Sequence, residues 1–60
     1  MEYIPGRCVL GYLGDTRGPP FRAAVVAREH SVALLEARMT GRRAGQRLRI
    51  RCDHVVPLET

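Results

Sequence analysis

In the stretch Arg47-Leu48-Arg49-Ile50-Arg51-Cys52, polar and apolar residues alternate without exception. Successive side chains of an extended strand point to opposite faces, so this order places three guanidinium groups on one face and three apolar groups on the other. A helix would distribute the same arginines around its circumference. The stretch therefore predicts a β-strand with one buried face and one face covered by arginine.

Clusters of glycine and proline divide the rest of the chain into runs of strand length. Pro5-Gly6, residues 14–20 (GDTRGPP) and residues 40–45 (TGRRAG) have the composition of turns and loops. The strand-length runs are Arg7 to Leu13, Phe21 to Arg28, Val32 to Met39, Gln46 to Cys52 and Val55 to Leu58. Five short strands in 60 residues predict a single all-β domain, a small five-stranded barrel whose closure would protect the strand edges.

Residues 23–39 contain no glycine or proline and allow two interpretations. Two strands joined by a tight turn at residues 28–31 would place Ala33, Leu35, Ala37 and Met39 inward, with Glu36 and Arg38 outward. The alternative is a short helix over residues 31–40, capped by Ser31 and ended by Gly41. The polar residues at 28–31 interrupt any apolar stripe of a longer helix, which favours two strands.

The chain is basic, with a formal net charge of +4, and all ten of its basic residues are arginines. Arginine pairs bidentately with phosphate and stacks on rings, which favours a nucleic-acid partner. Codon usage in a GC-rich genome is the alternative cause of the arginine enrichment. The only aromatic residues are Tyr3, Tyr12 and Phe21, so the core is thin, and a homo-oligomer would relieve that shortage.

No segment has the roughly 20 consecutive apolar residues that a membrane span needs, and none resembles a signal peptide. We therefore expect a cytoplasmic protein with no membrane partner. Cys8 and Cys52 fit reduced, buried thiols, and the alternative is a disulfide if the first and last strands are neighbours. Met1 and the short tail after Leu58 favour a complete protein over a trimmed domain.

Two segments in the last two-thirds of the chain have the pattern of known motifs. The segment Ile50-Arg51-Cys52-Asp53-His54-Val55-Val56-Pro57-Leu58 resembles the second Sm motif of the Sm-like (LSm/Hfq-type) family. The segment from Phe21 through Glu29 to Leu34-Leu35 is similar to the first Sm motif. The chain departs from the family at four motif positions. Ala23 and Cys52 replace glycines, Ala33 replaces an asparagine, and Ser31 replaces a base-stacking aromatic residue.

The resemblance implies a five-stranded SH3-like/Sm-like barrel that assembles into rings and binds RNA near the loops carrying the two motifs. By the same resemblance, Arg51 would be the stacking arginine and Asp53 its orienting neighbour. His30 would lie in the loop that lines the pore of the ring.

The strongest candidate site is the arginine row, defined as Arg47, Arg49 and Arg51, extended by Arg42 and Arg43 in the preceding turn. Alternate strand residues lie about 7 Å apart, close to the separation of successive phosphates along one nucleic-acid strand. The alternatives are a solvated strand face and a charged edge that prevents aggregation. Binding requires that the chain's own carboxylates do not hold these guanidinium groups.

Other chemistries have weaker sequence support. Cys8, His30, Cys52 and His54 lack the close paired spacing of zinc sites. Cys52 belongs to the inward set of its strand, which disfavours a nucleophile paired with His54. Phe21 is expected in the core, whereas Tyr3 and Tyr12 are candidates to stack bases. We therefore expect no catalytic residues, no metal and no cofactor.

These features together predict a protein that binds RNA or single-stranded DNA through its arginine-covered face, as a homo-oligomer and not as an enzyme. The alternative is an SH3-like adaptor, such as an accessory or phage-derived regulatory factor, whose arginines meet an acidic protein partner. A third interpretation is a subunit of a larger assembly with no ligand of its own.

Overall fold

The computed structural model describes residues 1–38 and 44–58, and every predicted run within them contains a strand. The strands are β1 (Cys8–Gly11), β2 (Phe21–Glu29), β3 (Val32–Ala37), β4 (Arg47–Arg51) and β5 (Val55–Pro57), with a short 3₁₀ helix, η1 (Cys52–His54), between β4 and β5. The all-β prediction is confirmed. Among these described residues no helix has the length and apolar character to cross a membrane.

All five strands belong to one antiparallel sheet in the order β4-β3-β2-β1-β5. In the described part of the chain β4 and β5 are the two edges, so strand pairing does not close the sheet into the expected barrel. The chain leaves β4 at Arg51 and turns through η1 before β5, which has only three residues and ends at Pro57. Proline has no backbone N–H to donate, which limits further pairing at that edge.

The middle segment is a hairpin of two strands, and the alternative helix over residues 31–40 is wrong. β2 and β3 pair from Ala23↔Ala37 to Glu29↔Val32. Ala33, Leu35 and Ala37 are fully buried, as their predicted inward positions require, while Arg38 is exposed. Met39 lies outside the described residues.

One hydrophobic cluster forms the core, and every strand contributes to it. Its members are Val9, Phe21, Ala23, Val25, Ala33, Leu35, Ala37, Ile50 and Val55. The sheet therefore curves around this cluster and leaves its other face, which we call the outer face, toward solvent. Phe21 is its only aromatic member, so packing of aliphatic side chains supplies most of the burial.

A β-bulge in β2 changes which side chains reach the outer face. The pairing with β3 shifts between Val25 and Ala27, so one extra residue is inserted there. Phe21, Ala23 and Val25 point inward before the bulge, whereas Ala27 and Glu29 are exposed after it. An extra residue reverses the alternation of a strand. The bulge therefore places Glu29 on the outer face, where an unbroken strand would have turned it toward the core.

Candidate nucleic-acid interface

Strand β4 presents the arginine row as its sequence predicts. Arg47, Arg49 and Arg51 are exposed, Ile50 is buried and Leu48 packs partly against the core. On the adjacent strand β3, the residues paired with these arginines are Glu36, Leu34 and Val32, respectively. The row therefore borders the outer face of the sheet along its β4 edge.

Arg47 contacts a carboxylate that it shares with a second arginine. Its Nε lies 3.7 Å from Glu36 Oε2, and Arg38 Nη2 lies 3.6 Å from Glu36 Oε1. One negative charge thus faces two guanidinium groups, and the trio retains a net positive charge. Sequence reasoning did not include Arg38 in the site. The signal that could have identified it was its predicted outward position in the third run.

Arg51 forms an ion pair with Asp53, the residue that the Sm-like resemblance assigns as its orienting neighbour. Arg51 Nη2 donates to Asp53 Oδ2 at 3.3 Å, and the two side chains are 72% and 61% exposed. Asp53 Oδ1 also lies 4.0 Å from His54 Nε2. Exposed pairs of this kind contribute about 0–1 kcal/mol. Such a contact orients the guanidinium but costs little to exchange for a phosphate.

Arg49, the central member of the row, has no carboxylate within ion-pair distance among residues 1–38 and 44–58. It stands beside a shallow groove on the outer face. The groove is lined by Ala27, Glu29, Val32, Leu34 and Arg49. The requirement that the row be clear of the chain's own carboxylates is therefore met at Arg49 and is not met at Arg47 and Arg51.

The β2–β3 turn lies against the end of β4, which brings His30 to the same end of the sheet as Arg51 and Asp53. Cys52 N donates to Ser31 O at 2.7 Å, and the Cys52 thiol lies 3.9 Å from His30 O. Arg28 Nε donates to the same His30 carbonyl at 2.8 Å. Three of the predicted site residues thus lie at one end of the sheet, whereas Arg42 and Arg43 lie outside the described residues.

Two of the three aromatic side chains have contacts within the protein, and the third, Tyr12, is half-buried directly after β1. Phe21 is buried in the core, as predicted. Tyr3 is half-buried, its hydroxyl donates to Cys52 O at 3.3 Å, and the Arg28 guanidinium lies 4.9 Å from its ring centroid. Burial raises the pKa of the Tyr3 phenol, and its contact with Cys52 acts in the same direction. Tyr3 therefore anchors the N-terminal segment to η1.

The two cysteines are free thiols, and the prediction that both are buried is wrong: Cys8 is exposed and Cys52 is half-buried. Cys8 precedes the buried Val9 on β1, so the alternation of the strand turns the Cys8 thiol away from the core. The described residues contain no group of three or more His, Cys, Asp or Glu side chains that could hold a metal ion. In the β1–β2 loop, hydrogen bonds from the Arg17 backbone N–H and side chain hold the pKa of Asp15 below its usual value. These hydrogen bonds are local contacts within the β1–β2 loop.

The position of Arg22 on the outer face also escaped sequence reasoning. Arg22 is exposed on β2, and Arg38 N donates to Arg22 O at 2.8 Å, which adds a second arginine beside Arg38. Five arginines and two glutamates consequently share the face formed by β2, β3 and β4. The arginines are Arg22, Arg38, Arg47, Arg49 and Arg51, and the glutamates are Glu29 and Glu36.

No protein-family model, curated protein or solved structure matches this chain. The resemblance to the Sm-like family rests on the motif residues alone and remains an expectation.

Proposed function

We propose that this protein binds single-stranded nucleic acid, RNA or DNA, along the arginine row, and that it acts by binding and not by catalysis. The observation that supports this most directly is the exposure of three guanidinium groups at alternate positions of one edge strand. Alternate positions of a β-strand lie about 7 Å apart, so successive phosphates of an extended nucleic-acid strand can contact successive arginines of β4.

The ion pairs at Arg47 and Arg51 do not neutralise the face. Glu36 is shared by Arg38 and Arg47, and Arg49 has no carboxylate of the described residues beside it. When a polyanion displaces Glu36 and Asp53, the protein loses three weak ion pairs and forms charge-assisted hydrogen bonds with the phosphates, and counterion release favours the exchange.

The proposal includes self-association into a homo-oligomer. Single-stranded binding needs a row longer than three arginines for high affinity, and rows from several copies would supply it. The thin core described above supports the same proposal, because a domain of this size buries a smaller share of its surface than a larger domain does. Light scattering of the free protein should give a mass above that of one chain, and a monomer would contradict this part.

Binding of fluorescent single-stranded oligonucleotides tests the proposal. We expect the Arg47→Gln/Arg49→Gln variant to bind about tenfold or more weakly than the wild type. The slope of log affinity against log salt should fall by roughly 0.7 per lost phosphate contact. The matched control is Arg7→Gln/Arg17→Gln, which removes the same charge from the N-terminal segment and the β1–β2 loop.

The two variants separate site binding from general charge. If both lose the same affinity, the protein attracts polyanions through its net charge and the arginine row is not a site. If the wild type binds no oligonucleotide at about 100 mM salt, the proposal is wrong.

A second candidate function, an adaptor for an acidic protein segment, is favoured by the geometry of the β4 edge. Cys52 N donates to Ser31 O and Ala37 N donates to Gln46 O, so the even-numbered residues of this stretch bond to β3. The backbone groups of the arginine row therefore point away from the sheet. An extended peptide could add to this edge. Binding of a peptide with alternating glutamates, together with no binding of oligonucleotides, would favour the adaptor.

A further inference from the structure

Glu29 and Arg49 flank the groove on the outer face from opposite sides. Arg49 extends from β4, Glu29 from the end of β2, and between them Leu34 and Val32 of β3 are half-exposed. Neither charged side chain has an ion-pair partner among the residues that the structure describes. The groove therefore has an apolar floor with a cation at one rim and an anion at the other.

This arrangement is specific to the bulged strand. Glu29 reaches the outer face because the extra residue between Val25 and Ala27 reverses the alternation of β2. Bulges are frequent beside binding sites because they redirect a side chain. Glu36, the other glutamate of this face, is held by two arginines, whereas no described arginine forms an ion pair with Glu29. A carboxylate in this position weakens binding of a plain polyanion and suits a ligand that also offers hydrogen-bond donors.

A nucleotide carries the three complementary features. Its phosphate pairs with a guanidinium, the flat face of its base covers apolar side chains, and the edge of the base carries the donors and acceptors that distinguish one base from another. A carboxylate accepts hydrogen bonds through two oxygens and donates none. Guanine alone among the common bases places two adjacent donors, N1–H and the N2 amine, on its Watson–Crick edge, whereas uracil has a single N–H between two carbonyl oxygens.

We propose that this groove is a guanine subsite, with a phosphate at Arg49, the base over Val32 and Leu34, and the Glu29 carboxylate accepting from the N1–H and N2 donors. The inference rests on the proposed function, because it specifies the base that the same face prefers. Charge complementarity at Arg49 and hydrogen-bond complementarity at Glu29 support this occupant over a purely apolar ligand.

Competition between matched oligonucleotides tests the subsite. The probes are a fluorescent single-stranded oligouridine of about eight nucleotides, the same strand with two guanosines, and the same strand with inosine at those positions. Inosine keeps N1–H and lacks the N2 amine. We expect the guanosine strand to bind at least about fivefold tighter than oligouridine, and the inosine strand to lose most of that gain.

The Glu29→Gln variant tests the residue that carries the preference. A glutamine side chain offers one acceptor and directs an N–H₂ group at the base, so we expect the ratio of guanosine to uridine affinity to fall to about one. The matched control is Asp15→Asn, which removes one negative charge in the loop before β2 and keeps the oxygen that accepts from Arg17 N. It should raise the affinity of all strands equally and leave the ratio unchanged.

The outcomes distinguish this inference from the proposed function. Equal binding of the uridine and guanosine strands, with an affinity that depends on Arg49, overturns the guanine subsite and supports the arginine row. A guanosine preference that survives Glu29→Gln also overturns it. If no strand binds, both proposals are wrong. The control for folding is thermal denaturation: the Glu29→Gln variant should unfold at the same midpoint temperature as the wild type.

Discussion

Glu36 sits between two arginines, and its carboxylate competes with any phosphate that approaches them. Its oxygens lie 3.6 Å from Arg38 and 3.7 Å from Arg47. We expect Glu36→Gln to tighten oligonucleotide binding about two- to fivefold, because it removes both the competing contact and a negative charge. The free energy of unfolding should change by less than about 0.5 kcal/mol.

Fluorescence anisotropy and chemical denaturation measure these two effects separately. Asp15→Asn is again the charge control, since Asp15 lies in the β1–β2 loop. Binding that stays unchanged or weakens in Glu36→Gln would mean that Arg38 and Arg47 do not contact the ligand.

Gly11 is the residue at which the core tolerates no side chain. A Cβ there would lie 2.8 Å from Phe21 Cζ and 3.1 Å from Leu35 Cδ1. We expect Gly11→Ala to lower the free energy of unfolding by about 1–3 kcal/mol through overpacking. Gly14→Ala is the matched control, because nothing lies within 4 Å of a Cβ at that position. Urea denaturation of both variants tests the packing, and equal stabilities would contradict it.

At the scale of the element, the β2–β3 hairpin depends on a left-handed residue that is not glycine. His30 has a φ of 57°, and Ser31 completes the two-residue turn. Glycine adopts this conformation without steric cost, whereas a β-branched residue is strongly disfavoured there. We therefore expect His30→Gly to raise the free energy of unfolding by up to about 1 kcal/mol and His30→Val to lower it.

The same pair of variants separates stability from binding. If the His30 imidazole contributes to the interface, as the Sm-like resemblance implies, both variants lose oligonucleotide affinity although their stabilities change in opposite directions. If affinity instead changes in the same direction as stability in each variant, the His30 imidazole is not part of the site.

The N-terminal segment is a second element, and the Tyr3 hydroxyl ties it to η1. Burial raises the pKa of this phenol, so the folded state favours its neutral form. The resulting stability is fully present below the ordinary pKa of about 10 and is lost as the pH rises through the raised value. Denaturation of wild type and Tyr3→Phe between about pH 8 and pH 11 should show their difference in stability shrinking in alkali. A constant difference would contradict this.

Sequence patterning predicted the elements of this fold better than it predicted the site. Strict alternation in residues 47–52 identified β4 and both of its faces, because the order of side chains within a single strand assigns its two faces without knowledge of the neighbouring strands. The bulge was not predictable, since Ala23 to Ala27 is a continuous apolar run without alternation and without glycine or proline. The contact of Arg47 with Glu36 depends on the register between β3 and β4, and the sequence alone does not fix that register.

At the scale of the whole molecule, the charge is unevenly distributed. The outer face of β2, β3 and β4 carries five of the eight arginines that the structure describes, while the face beneath it forms the hydrophobic core. A one-sided distribution of this kind steers a polyanion to one face and makes association sensitive to ionic strength. Glu29 and Glu36 lie on the same face and reduce this attraction locally, so the face is not uniformly basic.

Amide chemical-shift mapping of the 60-residue chain with a short single-stranded oligonucleotide tests the central claim most directly. We predict that titration shifts the amides of β4 from Arg47 to Arg51, those of Leu34 and Glu29 on the adjoining strands, and few others. Shifts concentrated in the β1–β2 loop or the N-terminal segment, or no shifts at about 100 mM salt, would contradict binding along the arginine row.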